Sequence, residues 1–300
     1  MRRNLLAATT LLLLVGGCSE SPDRRSRSDS GPQDAATIDV SRSDASASDV
    51  ATTSDVATTP DVATTPDAAT PPLGPAGQNA DDYTLVFADE FDNGFNTAVW
   101  DAHPGWEAVP PTTNYTVENG VLKIWPESAG SGKYNRVIHT EGTYYQLYGF
   151  VEMEAKLPRG EGAWPGLWLY NYIAGRGPEI DIMESYADDT GLGIGAVASD
   201  GVRIPVGYGA TVWIGDGTRA GLEFVKTTDL SAAFHKYGLK WEANQLTFFF
   251  DGTAVYTLAV SMSDQLYLLV SLLFDSQSTG TPMGKSNSFE VNYVRAWQSK

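Results

Sequence analysis

Glu179-Ile180-Asp181-Ile182-Met183-Glu184 alternates acidic and aliphatic side chains for four positions and then breaks step. Read as a β-strand, it sends Glu179 and Asp181 to one face and Ile180 and Ile182 to the other. Strict alternation would then place Met183 beside the acids and turn Glu184 toward the core. One extra residue bulged out at Met183 resets the phase and returns Glu184 to the acidic face. Three carboxylates then line one side of a strand with a hydrophobic underside. An exposed acidic strand or a calcium site are the blander readings of the same residues.

The chemistry that wants such a row is glycoside hydrolysis with retention. It needs one carboxylate as nucleophile and a second carboxyl as acid and then base, about 5–5.5 Å apart. On a flat strand these residues would stand too far apart, so the reading requires a curved sheet. Negative charge packed around Glu184 disfavours its ionised form and keeps it available as a proton donor. Once Glu179 becomes a glycosyl ester its charge is gone, and Glu184 can release its proton and activate water.

The run 163–170 places Trp164, Trp168 and Tyr170 on one face and Leu167 and Leu169 on the other. Gly177-Pro178 ends a short connection to Glu179, so this run is expected to pair with the acidic strand. Pro165 cannot donate to a sheet ladder and marks a local irregularity. Indole stacks on the apolar C–H faces of sugar rings, so Trp164 and Trp168 are expected in a glycan groove rather than the core.

From about Asn79 onward the chain alternates apolar and polar residues, with frequent aromatics and no long helical pattern. Short strand-like runs, among them Tyr115–Val117, Val121–Trp125, Phe150–Lys156, Leu246–Phe250 and Phe289–Trp297, predict an all-β sandwich or barrel. Glu118-Asn119-Gly120 and Asp251-Gly252 each fall between two such runs, as hairpin turns would. About 220 residues of this kind make one domain.

The acidic hexapeptide together with Trp164-Pro165-Gly166-Leu167-Trp168 resembles the bulged branch of glycoside hydrolase family 16. The resemblance extends in order through Phe87-Ala88-Asp89-Glu90-Phe91, the hairpin 115–124, the run 148–158, Tyr237-Gly238-Leu239-Lys240-Trp241 and Val291–Trp297. It implies a concanavalin-like β-jelly roll with a cleft across its concave sheet. It also implies Glu179 as nucleophile, Asp181 as assisting acid and Glu184 as general acid/base. Arg136 and Trp106 would contact sugar on the nonreducing side, and catalysis would need no cofactor. A structural calcium would involve Glu90 and the closing-strand position held here by Asn292.

Some positions depart from that family's pattern. Gly195-Ala196-Val197-Ala198-Ser199 has no histidine where many bulged members carry one, and Ser271 stands where asparagine is frequent. The connection 171–177 is shorter than in many laminarinases and nearer to glycanases acting on bacterial exopolysaccharides. A second carboxylate pair, Glu152 and Glu154, shares a strand face and reads as solvated, with Val151, Met153 and Ala155 on the core side. Asp188 and Asp189 read as loop acids. Only His103, His139 and His235 exist, with no nucleophile motif near them, and His139 reads as a structural or groove-edge residue.

Residues 1–17 read as a secretory signal, with Arg2 and Arg3 followed by an apolar run from Leu5 to Val15. Val15-Gly16-Gly17-Cys18 resembles a lipobox, which makes Cys18, the sole cysteine, a lipid-modified N-terminus and excludes an intramolecular disulfide. Residues 18–78 are rich in Ser, Thr, Ala, Asp and Pro, and Asp49, Asp55, Asp61 and Asp67 recur at six-residue intervals. Such a segment cannot bury enough apolar surface to fold, and serves as a disordered tether reaching about 40 Å. The catalytic domain is then 79–300.

A formal charge of −17 argues against nucleic acid. The expectation is a monomeric, extracytoplasmic, outer-membrane lipoprotein. It would be an endo-acting retaining hydrolase of a β-1,3- or β-1,3/1,4-glucan. An exopolysaccharide or galactan hydrolase, a transglycosylase and a noncatalytic binding jelly roll are the alternatives.

Overall fold

The computed structural model describes residues 73–105, 110–129, 132–185, 207–274 and 280–300. The expected signal, Cys18, most of the tether, Trp106, Asp188, Asp189 and the segment 195–199 lie outside the described residues.

In chain order the strands are β1 (Tyr83–Asp89), β2 (Tyr115–Glu118), β3 (Val121–Ile124), β4 (Ser128–Ala129), β5 (Gly132–Lys133), β6 (Arg136–His139), β7 (Gly149–Lys156) and β8 (Ala163–Tyr170). They continue as β9 (Gly177–Glu184), β10 (Gly207–Gly215), β11 (Arg219–Lys226), β12 (His235–Glu242), β13 (Gln245–Phe250), β14 (Thr253–Ala259), β15 (Tyr267–Phe274) and β16 (Phe289–Ser299). One sheet runs β14-β13-β12-β7-β16-β3-β2, with β1 added on β16, and the other runs β11-β10-β9-β8-β15-β6. All pairings between these strands are antiparallel. The fold is the expected all-β jelly roll.

Period-two patterning builds the core between the sheets. Val151, Met153 and Ala155 of β7 meet Leu167 and Leu169 of β8, Ile180 of β9 and Leu268, Val270 and Leu272 of β15 in one buried cluster. The turn readings hold for a physical reason. Asn119 and Gly120 have φ of 52° and 73°, and Asp251 and Gly252 have 47° and 77°. Two successive left-handed residues match the twist of the flanking strands, and Asn, Asp and Gly tolerate them best.

Two expectations about surroundings need correction. Glu152 does share a face with Glu154, but it is only 2% exposed. Tyr293 donates its hydroxyl to Glu152 at 2.7 Å, and Ala76 N–H donates to the other carboxyl oxygen at 2.8 Å. The same contact moves the domain boundary: Trp297 Nε1 donates to Leu73 O at 2.9 Å, and Gly77 packs on Gly252 so tightly that a Cβ at Gly77 would lie 1.9 Å from Gly252 O. Residues 73–78, assigned to the tether by composition, therefore cover the outer face of the eight-stranded sheet.

Candidate active site

The three acids stand on the outer face of the six-stranded sheet, on β9, with β8 on one side and β10 on the other. Against β8, Gly166 faces Glu184, Leu167 faces Met183 and Trp168 faces Asp181, which leaves Ile182 without a partner. Against β10, Gly209 faces Glu184 and Thr211 faces Asp181, so Ile182 and Met183 together oppose Ala210. This is the expected bulge, although its odd residue on the β8 side is Ile182 rather than Met183. Ile182 and Met183 both sink into the core at 1% and 0% exposure, because the bulged backbone turns both downward. Glu184 regains the face of Glu179 and Asp181.

Burial dominates the electrostatics. Asp181 is 2% exposed, and its Oδ2 has no hydrogen-bond partner. Desolvation, reinforced by the Glu184 charge, pushes Glu179 up to about 8. Desolvation and the charges of Glu184 and Glu179 lift Asp181 well above its ordinary range. Glu184 is raised to about 6 by burial, against hydrogen bonds from Trp164, Asp181 and Thr211 that lower it. The anticipated upward shift of Glu184 is present, but desolvation causes it rather than neighbouring charge. Contact between Asp181 and Glu184 raises the first and lowers the second, as expected where two buried carboxyls share protons. The three titrate as a unit.

The aromatics stand where the alternation placed them. Trp164, Trp168 and Tyr170 are half-buried on the outer face, while Leu167 and Leu169 are in the core. Trp164 Nε1 donates to Glu184 Oε1 at 3.0 Å. Trp168 Nε1 donates to Ser271 Oγ, also at 3.0 Å, so the residue standing in place of an asparagine orients an indole. The indole reaches Ser271 by leaning across Gly166, where a Cβ would lie 2.9 Å from Ser271 Oγ and 3.3 Å from Trp168 Cδ1. Tyr170 faces Glu179, and its phenol is pushed up to about 12 by burial and then by the Glu179 charge. Pro165 lies at the end of the β8–β9 pairing, where its carbonyl still accepts from Ser185 N–H. The irregularity belongs to the bulge instead.

On the other side of the acids stands Trp213, directly opposite Glu179 on β10 and absent from the sequence-based set. Its signal was available: Tyr208, Ala210 and Val212 alternate toward the core, which sends Trp213 outward.

Arg136 does not share the face that carries the three acids. It shares the inward parity of Ile138 on β6, whereas Val137 and His139 face outward, opposite Ser271 and Leu269. Its Nε donates to Asn114 Oδ1 at 2.9 Å, Nη1 to Ala102 O at 2.8 Å and Nη2 to Thr112 O at 2.8 Å, with the guanidinium 5.0 Å from the Tyr115 ring centroid. It ties loops together beside a cavity of 540 Å3 that also touches Trp100, Asp101 and Glu141 and none of the three acids. His139, on the outward parity of β6, is buried at 4% exposure with its ring 5.9 Å from that of Tyr267.

Glu90 and Asn292 do not form a side-chain cation site. Both Glu90 oxygens accept from Arg295, at 2.7 Å each, and Asn292 donates its amide to Glu154. A guanidinium already supplies the positive charge at Glu90, so the residues do not fit a calcium held by these two side chains.

A two-sheet sandwich presenting a desolvated acid triplet between tryptophans is built as a glycoside hydrolase. The family model for glycosyl hydrolases family 16 matches residues 106–288, and the chain belongs to that family. The chain is similar to the endo-1,3-1,4-beta-glycanases ExsH and EglC of Rhizobium meliloti, each 28% identical over 213 and 211 residues. Each alignment covers 66% of this chain and 42% of the relative, so the match spans less than half the length of those proteins. The catalytic domain of an endo-1,3-beta-glucanase (laminarinase) from Thermotoga petrophila superposes with a TM-score of 0.55. It is 22% identical, covering 73% of this chain and 99% of that one, a likeness of fold.

Proposed function

We propose that the chain is an endo-acting, retaining hydrolase of a β-linked glucan with 1,3 or mixed 1,3/1,4 linkages. The observation that carries this reading is the bulge that sets Glu184 on the face of Glu179, with buried Asp181 between them. Burial holds Glu179 up to about 8 and Glu184 at about 6, so the reacting form, with Glu179 ionised and Glu184 protonated, is the smaller share of a triplet that trades its protons as a unit. In that form Glu179 attacks the anomeric carbon while Glu184 passes its proton to the departing glycosidic oxygen, leaving a glycosyl ester on Glu179. Glu184 then takes a proton from water, which attacks the same carbon and restores Glu179. Trp164 holds Glu184, and Trp168 offers an indole face to the sugar beside the scissile bond. The glycanase and glucanase relatives support the linkage assignment.

The same reading includes secretion, a lipid on Cys18 and a spacer that lets the domain meet a polymer away from a membrane. It is supported by the apolar run before Cys18 and the composition after it. Metabolic labelling with a palmitate analogue tests it: label on the native chain should vanish with Cys18→Ser, and equal labelling of both would overturn the anchor.

Endo-action is tested by following viscosity and new reducing ends together on barley β-glucan and laminarin. Viscosity should collapse while few ends have appeared; a proportionate fall would mean attack from chain ends. Retention of the chain on both polymers with no new ends would favour the noncatalytic jelly roll.

A further inference from the structure

The outer face of β10 carries Gly209, Thr211 and Trp213, opposite Glu184, Asp181 and Glu179 in turn. On the far side of β10 these residues meet Phe224, Leu222 and Arg219 of β11. Stepping along β11 by twos from Phe224 through Leu222 leads to Ala220, which would leave Arg219 on the reverse face. The register shifts between Val212 and Trp213, so Ala220 is skipped and Arg219 becomes the partner of Trp213. A second bulge thus does for a cation what the first does for Glu184.

Arg219 is exposed and lies over the Trp213 indole, with its guanidinium carbon 5.9 Å from the ring centroid. The other described arginines are engaged: Arg136 by Asn114 and two carbonyls, Arg159 by Asp229, Arg176 by Asp264 and Arg295 by Glu90. Among the described residues Arg219 holds no hydrogen bond or ion pair beyond its ring contact. The neighbouring acids are directed elsewhere. Glu223 lies on the reverse face of β11, where its charge acts on Tyr256. Asp216, in the β10–β11 turn, accepts from Thr218 N–H at 2.8 Å.

We propose that Trp213 and Arg219 form a subsite, at the end of the groove beyond Glu179, for a sugar unit that bears a carboxylate. The indole takes the apolar face of the ring, and the guanidinium pairs with the carboxylate through its forked N–H groups. The chain carries a formal charge of −17, and the groove floor holds three acids, so an anionic polymer meets repulsion that a cation at this position offsets locally. This deepens the hydrolase reading and rests on it, because it names the kind of β-glycan the groove is built to accept.

The full chain and Arg219→Gln are compared on laminarin and on the same laminarin partly carboxymethylated. The ratio of kcat/KM on the carboxymethylated polymer to that on the neutral one should fall about fivefold in the variant. Arg219→Lys should retain part of the preference, and about 0.5 M salt should bring native and variant ratios together. An unchanged ratio, or a salt-independent one, overturns the subsite. Affinity electrophoresis of Glu179→Gln with and without Arg219→Gln, in gels holding either polymer, separates this from failure of the hydrolase reading. Extra retardation by the carboxymethylated polymer that needs Arg219 supports the subsite even where nothing is cleaved. Equal retardation with and without Arg219, or none by either polymer, overturns it.

Discussion

Trp164 gives its indole N–H to Glu184 Oε1 at 3.0 Å, which joins the aromatic wall of the groove to its acid/base. The bond favours the carboxylate and so pulls Glu184 down from where burial alone would hold it. Trp164→Phe keeps the ring and removes the donor. Glu184 then stays protonated to higher pH, so the limb of the kcat/KM profile that Glu184 sets, near pH 6, should move up. Turnover near neutrality should drop, because the same carboxyl must ionise to activate water. An unmoved limb would show that the bond does not tune Glu184.

The acids cost the fold stability as pH rises. A carboxyl whose pKa is raised by folding holds its proton more tightly in the folded chain, so its contribution is complete at low pH and lost as pH climbs. For Glu179, raised from an ordinary carboxylate value to about 8, that loss runs up to about pH 8. Glu179→Gln removes it. The drop in Tm between about pH 5 and pH 8 should be smaller in the variant by several degrees, measured by calorimetry. Parallel curves would contradict the burial of this group.

Gly166 leaves room for Trp168 to lean onto Ser271. Gly166→Ala should tilt the indole away and raise KM about fivefold, with kcat less affected, since a lost sugar contact of this kind is worth about 1 kcal/mol. Ser271→Ala should give a milder effect in the same direction. An unchanged KM in both would remove Trp168 from substrate binding.

Residues 73–78 give backbone partners to Trp297 and to the buried carboxyl of Glu152. A chain starting at residue 79 should unfold in urea about 1–2 kcal/mol more easily than one starting at residue 73. Glu152→Ala in the longer chain should cost about as much or more, since it strands the Tyr293 hydroxyl. Equal midpoints for the two lengths would mean that the segment only rests on the sheet.

What could be read from the chain, and what could not, follows from the range of the interactions. Alternation within one strand is local, so the acid face, the Trp164/Trp168 face and the need for a bulge were legible in residues 163–184. The same parity argument applied to Arg136 would have placed it inward with Ile138; a position carried over from a family pattern overrode it. Glu90 and Arg295 meet because β1 pairs with β16, more than two hundred residues away, and nothing local announces that pairing. Residues 73–78 were assigned to the tether because their contacts use backbone groups, Leu73 O and Ala76 N, which composition does not register. Glu152 was expected in solvent for the same reason. The turn of Arg219 toward Trp213 depends on a register shift between two strands, which no single-strand pattern contains.

The central claim is that Glu179 is the nucleophile of a retaining reaction, and the anomer released first tests it most directly. Proton NMR of a β-glucan digest in its first minutes should show the β-anomer appearing before mutarotation, with no product from Glu179→Gln. An α-anomer appearing first, or a Glu179→Gln chain that still cleaves at the native rate, would contradict it.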